Sequence, residues 1–197
     1  MKNTITKSLE NSYTYQEYRT LVENLLNEGR STSKEDSQMM VDYSKLNHSR
    51  MKRLDKTMKL PQEVIEKVEA IKTPINWVVL SEGWCGDAAQ NLPIINKIAD
   101  LNDNINLRIV LRDEHPELMD QFLTNGGRAI PKLIHIEDDF SKIESWGPRP
   151  TVATKMVADY KAEHGSITPE FKKDLQVWYN KDKGLSTVED MMAFLGL

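Results

Sequence analysis

The run Ile75-Asn76-Trp77-Val78-Val79-Leu80 is almost continuously apolar and rich in β-formers, the pattern of a strand buried on both faces inside a sheet. Just past its end stands the only cysteine of the chain, within Trp84-Cys85-Gly86-Asp87-Ala88-Ala89-Gln90-Asn91-Leu92-Pro93. From Asp87 onward Leu92, Ile94, Ile95, Ile98 and Leu101 recur at helical spacing, and Pro93 within that pattern must kink the helix. A cysteine where a strand gives way to a helix meets free backbone N–H groups and the positive end of the helix dipole, both of which favour thiolate over thiol. Ile105, Leu107, Ile109 and Leu111 then alternate as a second strand. Strand, crossover helix and strand make a right-handed parallel unit.

Downstream, Pro116 opens a helix with Leu118, Met119, Phe122 and Leu123 on its buried side and Gly126-Gly127 as its break. Pro131 falls at the first residue of a strand running to Ile136, where its missing N–H is tolerated. Glu137-Asp138-Asp139 turns into a short strand ending near Trp146, so this pair reads as an antiparallel hairpin. Gly147-Pro148-Arg149-Pro150 introduces a helix bearing Val152, Met156, Val157 and Tyr160.

The N-terminal third reads as helical. Thr14 and Glu17 form a capping-box pattern ahead of Tyr18, Leu21, Val22, Leu25 and Leu26. A polar break over residues 31–36 precedes a longer helix with Met39, Tyr43, Leu46, Met51, Leu54 and Met58 as its expected core stripe, and a short third helix carries Val64, Ile65, Val68 and Ile71. The second helix also holds a basic group, Arg50, Lys52, Arg53, Lys56 and Lys59, either a solvated face or an anion-accepting patch. At the other end Thr168-Pro169 caps a helix with Phe171, Leu175, Trp178 and Tyr179, and Ser186 with Glu189 reads as a second capping box. These C-terminal stripes suit packing on the core or a dimer interface, so oligomeric state stays open.

At 197 residues the chain can bury one core. We expect one domain: a helical extension over 1–73, an α/β core over 74–163 and C-terminal helices over 164–197. A net charge of −4 argues against a nucleic-acid binder that relies on a general positive field. The longest apolar stretches are strand-sized and the first residues lack a signal-peptide pattern, which implies neither membrane nor secretion and a cytoplasmic protein. One cysteine excludes an intramolecular disulfide, and four scattered histidines give no metal-ligand spacing, so neither metal nor cofactor is implied.

Trp84-Cys85-Gly86 after a buried strand, Pro93 eight residues beyond Cys85, Arg128-x-Ile130-Pro131 and the order β-α-β-α-β-β-α together resemble the thioredoxin superfamily. Trp84-Cys85-Gly86-Asp87, Leu111-Arg112-Asp113 and Trp146-Gly147-Pro148-Arg149-Pro150 are similar to a mostly uncharacterised bacterial thioredoxin-like group with helical N-terminal extensions. The resemblance covers about residues 74–163 and implies an α/β thioredoxin fold, a central mixed sheet of about four strands flanked by helices. It also implies a cis Pro131 opposite Cys85, with the Ile130 backbone pairing with an extended substrate and Trp84, Gly86 and Asp87 flanking it.

Two departures bear on chemistry. Ala88 occupies the position of the resolving cysteine, so a mixed disulfide formed by Cys85 cannot be broken within the chain, which excludes dithiol reductase activity. Val79 lies where thioredoxins bury an aspartate used in proton transfer. Asp87 suits the helix dipole yet opposes a thiolate beside it, which leaves the sign of the Cys85 pKa shift open. Two functions follow: monothiol exchange with a protein or small-molecule disulfide, using an external resolving thiol, or a binding module that has lost redox activity. Arg149 reads as a cap on the sheet end or a partner for a carboxylate.

Overall fold

A computed structural model describes residues 1–35 and 37–197; Asp36, the last residue of the expected polar break, lies outside them. Four strands, β1 (Ile75–Ser81), β2 (Ile105–Leu111), β3 (Lys132–Glu137) and β4 (Ile143–Trp146), form one mixed sheet in the order β2-β1-β3-β4. β1 pairs parallel with β2, from Ile75 opposite Ile105 to Ser81 opposite Leu111, and antiparallel with β3, which pairs antiparallel with β4. The apolar run thus occupies an interior strand, with Trp77, Val78, Val79 and Leu80 fully buried. Trp77 is large and carries a polar edge; its Nε1 donates to His135 Nδ1 at 3.2 Å, and burial lowers the His135 pKa, which suits the neutral ring that must accept.

Helix α5 (Gly86–Ala99) contains Pro93 and buries Leu92, Ile94, Ile95 and Ile98 completely. It is covered by α3 (Gln38–Thr57) on one side and α9 (Leu185–Leu195) on another, so both extensions pack onto the helix that carries the cysteine. The capping box of α2 (Tyr15–Asn27) forms as the Thr14/Glu17 pattern predicts. A helix α1 (Lys2–Leu9), for which the sequence shows no clear stripe, anchors through a fully buried Ile5. The segment after it runs along β2, where Tyr13 and Ile109 exchange backbone hydrogen bonds at 2.7 Å.

Several sequence expectations are corrected. Met39, Tyr43 and Leu46 are half exposed; α3 instead turns Val41, Ser44, Asn47, Met51 and Leu54 inward. The turn between β1 and α5 presents polar backbone, and Asn47 Nδ2 donates to the Gly83 carbonyl at 3.1 Å, so the polar stripe wins the buried face. The helix opened by Pro116, α6 (Pro116–Met119), lasts one turn, which leaves Leu123 exposed. The Ser186/Glu189 box does not form: α9 starts after Gly184, and Ser186 lies within its first turn, donating its hydroxyl to Asp182 Oδ1 at 2.5 Å. Val152 is exposed at the start of α7 (Thr151–His164), whereas α8 (Pro169–Asp182) is capped by Thr168 as its sequence predicts. Among the described residues no helix is long and apolar enough to cross a membrane.

Candidate functional site

Cys85 is the N-cap of α5, and its Sγ accepts the Ala88 N–H at 3.4 Å. The thiol donates to the Ile130 carbonyl at 3.2 Å, and the Ile130–Pro131 peptide is cis. Ile130 and Pro131 therefore sit against the cysteine, while Trp84, Gly86 and Asp87 flank it along the chain. Cys85 is only 9% exposed. Burial, with Asp87 adding to it, pushes the thiol up to about 12, against the N–H groups of Ala88 and Asp87 and the Arg149 charge, which pull the other way. Desolvation wins the contest that the sequence left open, because two N–H groups do not replace the hydration that a buried sulfur anion would lose.

Asp87 is fixed from three directions. Arg149 Nη2 lies 2.8 Å from Oδ2, Tyr179 donates its hydroxyl to Oδ1 at 3.0 Å, and Asn91 Nδ2 donates to the Asp87 carbonyl at 2.8 Å. Asn91 also donates to the Tyr179 hydroxyl oxygen at 3.3 Å and accepts from Thr187 Oγ1 at 2.6 Å. Burial raises the Asp87 pKa, with Arg149 and the Tyr179 hydroxyl opposing it. Arg149 is thus the partner of a carboxylate, one of its two expected roles. Tyr179, Asn91 and Thr187 escaped sequence reasoning, since Tyr179 reads only as part of an apolar stripe and its hydroxyl meets a residue 92 positions away.

The basic helix now has a place. Arg50 Nη1 lies 3.6 Å from where a Cβ on Gly86 would stand, and it donates to Asn47 Oδ1 at 2.9 Å. Lys52, Arg53, Lys56 and Lys59 are exposed. Trp84 is half-buried, with the Arg112 guanidinium 4.7 Å above its ring; among the described residues its buried Nε1 has no partner.

Val79 is a core residue, as its type suggests, and the buried carboxylate nearby is Glu82, at the exit of β1 and fully buried. It accepts the Asp113 N–H at 3.0 Å and the Thr32 hydroxyl, whose oxygen in turn accepts the Gly83 N–H at 3.0 Å. Burial lifts its pKa to about 7. A carboxyl raised in the fold favours folding below its unfolded value and loses that contribution as pH climbs through the folded value. Glu82→Gln is therefore expected to remove a fall in stability of roughly 3 kcal/mol between pH 4.5 and 7. Urea unfolding of both proteins from pH 4.5 to 8 checks this, and a wild-type-to-variant difference that stays flat across the range would refute it.

A parallel-antiparallel sheet with a cysteine-capped helix and a proline opposite it defines a thioredoxin-like protein of single-cysteine type. A family model described as thioredoxin matches residues 33–161, and the chain belongs to that family; the match takes in α3 as well as the α/β core. The fold is similar to the 1.5 Å crystal structure of a protein of unknown function from Pseudomonas aeruginosa, 18% identical, with a TM-score of 0.60 over 93% of this chain and 98% of that one. It is also similar to an HIV epitope scaffold, 17% identical, with a TM-score of 0.58 over 88% of this chain and 96% of that one. At these identities the likeness speaks for the fold alone. No curated protein matches the sequence.

Proposed function

We propose that this protein is a thioredoxin-fold binding module whose Cys85 is kept as an un-ionised thiol, with Trp84 and Arg112 at the rim of the turn. The observation that carries this reading is the state of the sulfur: buried, donating to the Ile130 carbonyl, and raised to about 12. At neutral pH such a thiol is ionised roughly a thousandfold less than free cysteine, and the thiolate is the nucleophile. Ala88 further denies it a resolving partner.

One observation favours monothiol exchange as the second reading. Sγ accepts the first-turn Ala88 N–H beside Ile130 and Pro131, where a thiolate would be supported once uncovered. In that chemistry the Cys85 thiolate attacks one sulfur of a substrate disulfide, the substrate's other sulfur leaves as thiolate, and an external thiol then displaces Cys85 from the mixed disulfide.

The two readings separate in the pH profile of Cys85 labelling by iodoacetamide, followed by intact mass. We expect a midpoint well above that of free cysteine and a rate at pH 7 at least about 100-fold below a cysteine peptide. A midpoint at or below that of the peptide would replace the first reading with the second.

A further inference from the structure

Away from the cysteine, the C-terminal ends of α3 and α8 and the start of α9 enclose a cleft of about 460 Å³, within the size range of small-molecule sites. Its lining is largely apolar: Leu54, Met58 and Tyr179 are buried, and Leu185 stands half exposed. Its charged groups are all cations, Arg53, Lys59 and Lys183. Among the described residues none of the three takes part in an ion pair. The carboxylates closest in sequence are engaged elsewhere, Asp55 with Arg19 and Asp182 with the Ser186 hydroxyl and N–H. The carbonyl ends of α3 and α8 also reach this region, each counting for about half a negative charge, and Asp182 keeps its charge because its partners are neutral, yet the three cations still leave the balance positive.

We infer that this cleft binds an amphipathic organic anion, its compact head among Arg53, Lys59 and Lys183 and its apolar tail on Leu54, Met58 and Leu185. The apolar lining gives a tail somewhere dry to lie, which an inorganic anion would not use; the cations, with no internal partner, have no role for an uncharged lipid. A medium-chain carboxylate has both parts and the right size. The cleft is separate from the cysteine turn, although Tyr179, which lines it, holds Asp87 with its hydroxyl.

Calorimetric titration of the full chain with octanoate, 1-octanol and inorganic phosphate tests this, with the Met58 methyl resonance reporting location. Octanoate is expected to bind one-to-one, at least about tenfold tighter than octanol or phosphate, and to shift the Met58 methyl signal. The exposed pair Arg53→Gln and Lys183→Gln is expected to weaken octanoate about tenfold or more while leaving octanol unchanged. Equal binding of octanol would show that the cations are idle, and equal binding of phosphate that the apolar lining is. Either result overturns the proposal, as do unsaturable octanoate heats, an unmoved Met58 signal or an unaffected double variant.

Discussion

Arg149→Ala is expected to destabilise the protein by about 3–5 kcal/mol at neutral pH, the usual cost of stripping one partner from a buried ion pair. The Asp87 and Arg149 side chains are only 12% and 21% exposed, so water replaces the lost guanidinium poorly, and the carboxylate would keep the Tyr179 hydroxyl and the more distant charge of Arg50. Burial already raises the Asp87 pKa against the pull of Arg149, and without Arg149 it rises further. The sign follows: a carboxyl raised in the fold is best tolerated at low pH, so the gap between wild type and variant should widen as pH climbs above the unfolded carboxylate value. Adding Asp87→Asn should recover much of the loss, since an amide oxygen still accepts from Tyr179 and no charge is stranded. Urea denaturation of the three proteins at pH 5 and 8 decides it. A single variant within about 1 kcal/mol of wild type would mean that solvent screens the pair after all.

Gly147→Ala is the other large effect. Gly147 has φ +113°, where side chains are disfavoured, and a Cβ there would lie 2.2 Å from the Pro131 carbonyl oxygen. Backbone cannot rotate aside as a side chain can, so strain of about 3 kcal/mol or more is expected, seen as a fall of roughly 6–12 °C in the melting midpoint. Gly184→Ala is a fair control: φ is +86° and the added Cβ would also meet an atom at 2.2 Å, but that atom is the Cδ1 end of Ile94. It should cost less. If the two variants melt together, the Pro131 segment yields more readily than its packing suggests.

The sheet was legible in the sequence because its strands are short, apolar and bounded by prolines and turns, and because Cys85, Pro93 and Pro131 mark fixed points of one fold. Burial on α3 was not legible, since Met39, Tyr43 and Leu46 obey helical spacing as well as the true inner face does, and only the polar turn at Gly83 decides between them. At the site, Cys85, Ile130 and Pro131 converge from a motif alone. The sign of the cysteine's shift was illegible because it depends on depth of burial, and no local pattern announces that Tyr179 would reach Asp87 or Thr187 would reach Asn91.

The distance in sequence between Asp87 and Tyr179 has a consequence for how the molecule is made. With 92 residues separating them, and chains growing at about 5–20 residues per second, the turn is synthesised roughly 5–20 s before the hydroxyl that completes it. During that interval the nascent sheet and α5 carry a carboxylate lacking its full set of partners and an apolar helix face still without α9. A product cut short before α8 would retain this incomplete turn.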